Sequence, residues 1–219
     1  MIQQLLPHPI AAVDTHHDRH DLTLFPEEEA HIREAVPKRR HEYTTARWCA
    51  RRALAQLGLP AAPITPGHRG APQWHPSVTG SITHCAGYRA AAVAHRSRTR
   101  AIGIDAEPHQ PLPEGVLESI ALPAECAWVR RHARTHPGTH WDRLLFSIKE
   151  TVYKTWYPLT AQPLDFEDAL ITPHPETRTF TARITPHRPT PYPTTLTGHY
   201  TTENGIILTT LTIPNDGDN

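Results

Sequence analysis

Three carboxylates in two short segments have the types and spacing for metal and phosphate chemistry. Asp105 and Glu107 lie two apart in Gly103-Ile104-Asp105-Ala106-Glu107-Pro108, at the end of an apolar run. On a strand that spacing turns both carboxylates to one face and Ala106 to the other. Glu150 lies in Phe146-Ser147-Ile148-Lys149-Glu150-Thr151-Val152-Tyr153-Lys154, with lysines at 149 and 154 beside it. Hard carboxylate oxygens next to ammonium groups are suited to holding a divalent cation, Mg²⁺ or Mn²⁺, against a phosphate anion. Each segment also has an ordinary reading. A lone DxE is commonly a solvated pair, and Glu150 with Lys154 is an i,i+4 ion pair of a kind worth a few tenths of a kcal/mol. Phe146 and Tyr153 are expected on the same helical face as Lys149, Glu150 and Lys154, which favours a cleft wall over open solvent.

Basic residues form a second set. Arg40, Arg47 and Arg51 fall at i, i+7 and i+11 on one expected helix stripe, with Arg39 beside them. Arg69 sits in Gly67-His68-Arg69-Gly70, where flanking glycines let backbone approach an anion. His84 lies on the expected strand Ser81-Ile82-Thr83-His84-Cys85 and could donate to a phosphate. Cys85 follows it directly, so the two point to opposite faces and make no nucleophilic pair.

The elements that must carry these groups are legible from period and punctuation. Helices are expected over 26–35, 39–57, 113–121, 123–134 and 140–157, the last ended by Pro158. Trp141, Leu145, Ile148, Val152 and Trp156 form its apolar seam. Strands are expected over 80–85, 88–95 and 100–105, and in the tail over 167–172, 178–184, 194–202 and 206–213. Asn204-Gly205 signals a hairpin in that tail. The order helices, strands, helices, strands indicates an α+β fold, in two halves meeting near residue 100, over a parallel βαβ sheet.

Composition narrows the classes. The chain has 219 residues, with 22 Lys plus Arg against 22 Asp plus Glu. A zero formal net charge disfavours nonspecific binding to nucleic acid or to a membrane surface. Three cysteines without a CxxC argue against a disulfide scaffold and a cysteine-based zinc site. No apolar run approaches the roughly 20 residues of a membrane span. The first residues lack a basic region ahead of a long apolar stretch, so a cytoplasmic location is expected.

Taken in order, KRRHEYTTARWCARRAL (38–54), GHRGAPQW (67–74), GSITHCAGYRAAAVA (80–94), GIDAEPH (103–109) and HWDRLLFSIKETVYKTWYPLT (140–160) carry a resemblance. The chain resembles the 4′-phosphopantetheinyl transferases of the surfactin-synthetase and enterobactin-synthetase type. That resemblance implies two pseudo-symmetric α+β halves, 1–102 and 103–219, with the site in the cleft between them. It implies coenzyme A as co-substrate, the serine of an acyl or peptidyl carrier protein as acceptor, and 3′,5′-ADP as leaving product. It places the metal on Asp105, Glu107 and Glu150, makes Glu150 the general base, and sets Lys149 and Lys154 against phosphate. Arg39 or Arg40, Arg47, Arg69 and His84 match the residues that bind the donor's phosphates, with Ser81 and Thr83 adding hydroxyls. Phe146 and Tyr153 would line the pantetheine channel. Two fused halves supply their own cleft, so a monomer is expected. Ile148 and Ala106 depart from many relatives, the first as a packing change, the second by removing a third carboxylate. A carrier- or coenzyme A-binding module without turnover, and a Mg²⁺-dependent coenzyme A hydrolase, use the same residues.

Overall fold

The computed structural model describes residues 1–215 of the chain. The element order is β1 (Ala11–Thr15), α1 (Pro26–Ile32), α2 (Pro37–Gln56), β2 (Val78–Cys85), β3 (Tyr88–His95), β4 (Thr99–Pro108), α3 (Val116–Ile120), α4 (Pro123–Thr135), α5 (Trp141–Thr160), β5 (Ala169–His174), β6 (Thr179–Ile184), β7 (Thr195–Glu203) and β8 (Ile206–Pro214). Prolines open α1, α2 and α4, where a missing N–H costs nothing. Asn204 and Gly205 both take positive φ between β7 and β8, as a two-residue hairpin turn requires.

Two antiparallel sheets result, one ordered β1-β3-β2 and the other β4-β8-β7-β6-β5. The fold is α+β, as expected. Each sheet carries one 20-residue helix. α2 buries Cys49, Ala50, Ala53 and Leu54 against Ala11, Val78, Ala91 and Val93. α5 buries Leu144, Leu145, Ile148, Val152 and Trp156 against Ile171, Phe180 and Leu211. A third cluster joins the halves, with Tyr88, Ala90 and Ala92 of β3 against Ile102, Ile104 and Ala106 of β4.

The sheet edges β2 and β4 meet through side chains. Ser81 Oγ accepts the Ile104 N–H at 3.2 Å, and Thr83 Oγ1 accepts the Ala106 N–H at 3.0 Å. The hydroxyls satisfy edge donors that would otherwise be buried unpaired. Residues 102 and 103 are consecutive on β4: Ile102 enters the shared core and Gly103 faces α5.

Two expectations are corrected. β1 precedes the helices, in the short apolar run Ile10-Ala11-Ala12-Val13, which is too brief to show a period. Pro158 does not end α5, which runs to Thr160 and stops at Ala161 with φ 54°. A proline in the last turn removes one helical hydrogen bond and leaves the others in place. No helix among the described residues is long and apolar enough to cross a membrane.

Candidate active site

A cleft of about 740 Å³ opens between the halves. α2, the loop around Arg69 and β2 form one wall, and β4 and α5 the other. It gathers Arg39, Arg47, Arg69, Ser81, Thr83 and His84 opposite Asp105, Glu107, Glu150, Tyr153 and Lys154, with Phe146 at the side. Of the site residues expected from sequence, only Arg40 and Lys149 do not line it.

The acidic wall depends on how closely α5 lies on β4. A Cβ at Gly103 would come within 2.1 Å of Thr155 Oγ1 and 2.2 Å of the Thr151 carbonyl oxygen. Only glycine admits the helix here, and this approach brings α5 over Asp105. Lys154 Nζ donates to Asp105 Oδ1 at 2.7 Å, and Ser147 Oγ donates to Oδ2 at 2.8 Å. Thr83 Oγ1 donates to Oδ1 at 3.2 Å. Behind Ser147, the hydroxyls of Thr209 and Thr151 continue a buried chain at 2.9 and 2.6 Å. Asp105 is thus held on both oxygens. Glu107 pairs with Arg143 at 2.9 Å.

These carboxylates sit in one field. Burial raises the Glu107 pKa, and Asp105 adds to the rise while Arg143 opposes it. Burial also raises Glu150, with Lys154 opposing and Asp105 reinforcing. For Lys154, burial works against the charge, but Asp105, Glu150 and Glu107 outweigh it and its pKa is raised.

The basic wall is built differently at each residue. Arg47 is 7% exposed, donates through Nε to the Ile64 carbonyl, and lays its guanidinium 3.6 Å from the Tyr43 ring centroid. The buried Tyr43 hydroxyl, in the same wall, has no partner among the described residues. Arg39 contacts His84 Nε2. Burial pushes the His84 imidazole down to about 4, and Arg39, Lys154, Arg89 and Arg47 add to the shift. Arg69 has φ 53° and stands 5.8 Å from the Tyr157 ring centroid, next to a His68–Tyr157 contact that ties this loop to α5. Ser81 and Thr83 line the cleft, but their hydroxyls are engaged with β4.

The family model for the 4′-phosphopantetheinyl transferase N-terminal domain matches residues 27–94, and that for the 4′-phosphopantetheinyl transferase superfamily matches 101–207. The 4′-phosphopantetheinyl transferase PptT of Mycobacterium tuberculosis is 47% identical over 212 residues, 93% of this chain and 92% of that protein. This chain belongs to the 4′-phosphopantetheinyl transferase superfamily. The 4′-phosphopantetheinyl transferase Npt of Nocardia iowensis is 52% identical over 172 residues, 78% of this chain and 76% of that protein. The transferase Svp of Streptomyces mobaraensis is 56% identical over 161 residues, 74% of this chain but 65% of its own length.

In this member of the superfamily the two remaining residues turn elsewhere. Arg40 bonds Glu29 and the Ile32 carbonyl on α1, outside the cleft. Lys149 is 3% exposed and does not share the face of Glu150 and Lys154. Its Nζ donates to Glu125 at 2.9 Å, to the Phe166 carbonyl at 2.7 Å and to the Ala169 carbonyl at 2.8 Å. It lies in the wall of a second pocket of about 570 Å³, lined also by Leu122, Leu164 and Phe166. Arg69, Glu150 and Tyr153 line both pockets and stand between them.

The donor set fits a divalent cation in kind: three carboxylates face one cleft, and the Lys154 ammonium already stands against Asp105. The acids are not drawn together to coordination distance. Among the described residues, the one trio of ligand atoms within 4.8 Å of one another is Asp165, Asp168 and His187 on the surface. Sequence reasoning missed Arg143, Glu125 and Thr209, which carry no local motif. Ser147 stood inside the helical motif of α5 without an assigned role.

Proposed function

We propose that this cleft transfers the 4′-phosphopantetheine group of coenzyme A to a serine of an acyl or peptidyl carrier protein. The observation that carries the reading is one cleft with a cationic wall for a diphosphate and an acidic wall ending in a buried carboxylate. The donor's nucleotide phosphates bind at Arg39, Arg47, Arg69 and His84, and its pantetheine arm passes Tyr153 into the second pocket. The carrier serine oxygen attacks the β-phosphorus, the bond from that phosphorus to the bridging oxygen breaks, and 3′,5′-ADP leaves. Glu150 takes the serine proton, helped by its raised pKa. Lys154 faces the phosphoryl group and meets the charge that develops on it. Mg²⁺ or Mn²⁺ on Asp105, Glu107 and Glu150 would supply neutralisation of the diphosphate when bound.

Mass spectrometry of apo carriers incubated with coenzyme A, Mg²⁺ and the protein tests this. A phosphopantetheine mass gain is expected on at least one carrier. Binding without product points to a binding module. Phosphopantetheine released without a carrier points to a hydrolase. Exposed Arg130, Arg131 and Arg134 on α4 offer a face for an acidic carrier. The proposed setting is a monomer in the cytoplasm.

A further inference from the structure

We propose that Lys149 and Glu125 form a buried strut that sets the shape of the second pocket, making Lys149 a positioning residue and not a phosphate ligand. The inference rests on the function proposed above and assigns the arm-binding side of that site.

The Lys149 ammonium has three N–H groups, and the structure gives it three acceptors: Glu125 Oε2, the Phe166 carbonyl and the Ala169 carbonyl. The side chains of Lys149 and Glu125 are 2% and 1% exposed. Glu125 is equally committed. Its Oε1 accepts the Ile171 N–H and its Oε2 the Leu122 N–H, both at 2.7 Å. One ion pair therefore ties the start of α4, the first residues of β5, the 166–169 segment and α5.

Moving Lys149 into the cleft would break all three of its bonds and leave Glu125 buried without a counter-ion. A lone buried charge is among the costliest defects a fold can carry. The strut instead governs geometry. Leu122, Phe166 and Ala169 line the second pocket with Lys149 itself. Phe166 lies 6.3 Å from Phe146 between ring centroids, so the segment that Lys149 holds reaches across to the cleft side. Glu150 is the next residue on α5, so the same strut fixes how far the pocket wall stands from the proposed base.

The experiment compares Lys149→Met, Glu125→Gln and the double variant with wild type. Lys149→Met strands a carboxylate and is expected to lower Tm by roughly 10 °C. In the double variant no charge is left buried unpaired, so much of the Tm returns, short of wild type because one of the two backbone N–H groups that Glu125 accepts then faces an amide nitrogen. Its kcat at saturating coenzyme A stays within about tenfold of wild type, its KM for coenzyme A rises about tenfold, and inhibition by 3′,5′-ADP, which lacks the arm, is unchanged. A double variant that regains Tm but loses kcat about a thousandfold would overturn the proposal, placing Lys149 on the phosphoryl group. An unchanged KM would also overturn it, leaving the pair structural alone. If Lys149→Met does not fold, Glu125→Gln alone, with the same split between KM and 3′,5′-ADP inhibition, decides. Wild type that modifies no carrier refutes the function proposed above, and the Tm comparison still reports on the strut.

Discussion

Lys154 Nζ stands 2.7 Å from Asp105 Oδ1, joining a helix of the second half to the strand where the two halves meet. The Asp105 side chain is 5% exposed and that of Lys154 28%, so the lysine spans from a buried acid to the open cleft. Its ammonium pairs with the acid and is near enough to the solvent side to meet a phosphate. Lys154→Ala should lower kcat by about 10²–10³-fold, as for loss of one preorganised donor. Steady-state kinetics at saturating coenzyme A checks this. A loss confined to KM would remove Lys154 from the developing charge.

Glu150→Gln separates chemistry from stability. Burial already disfavours the Glu150 carboxylate, so a neutral isostere should leave Tm within about 2 °C of wild type. The rate should fall by about 10²–10⁴-fold with the base removed. Calorimetric melting beside carrier-modification rates gives both quantities; near-normal turnover would exclude the role.

The adjacent arginines differ in direction, which makes a paired control. Arg39 lines the cleft and touches His84, whereas Arg40 is 34% exposed against a Glu29 that is 41% exposed. Arg39→Ala should raise the KM for coenzyme A about tenfold or more, and Arg40→Ala should leave it unchanged. The exposed Arg40–Glu29 pair contributes at most about 1 kcal/mol to stability. Equal effects on KM would refute the assignment of Arg39 to the donor.

His84 makes stability depend on pH. Its pKa falls from 6.5 to about 4 on folding, first through burial and then through the surrounding cations. The unfolded chain therefore binds a proton that the folded protein refuses between those values, and stability rises with pH across the window. Going down from pH 6.5 to 4, up to about 3 kcal/mol is lost through this group. Urea titrations of wild type and His84→Gln over that range should show a shallower slope in the variant. Parallel slopes would place the titration elsewhere.

Gly103→Ala tests whether the site needs the close approach of α5 to β4. A Cβ within 2.2 Å of a backbone carbonyl cannot be accommodated by rotamer change. Destabilisation of about 3 kcal/mol or more is expected, and activity should be lost with the fold. Thermal melting of the purified variant reads this; a normal Tm would show that the helix can shift.

The sequence by itself determined which chemical groups the site contains. The period-2 run ending in Asp105 and Glu107 and the 3.6-residue seam of α5 placed the acids on definable faces, because alternation and helical pitch are local properties. It also disclosed most helices and strands, and the Asn204-Gly205 turn. Only the tertiary structure decided which cations reach the cleft. Lys149 and Glu150 stand about 100° apart on a helix, and nothing local says which flank will meet Glu125 of α4 and which will meet open space. Arg39 and Arg40 were equally ambiguous until α1 brought Glu29 to the second of them. The hydroxyls of Ser81 and Thr83 line the cleft and also accept N–H groups of β4, a link invisible in the sequence because the pairing of two sheet edges is set by partners distant in the chain.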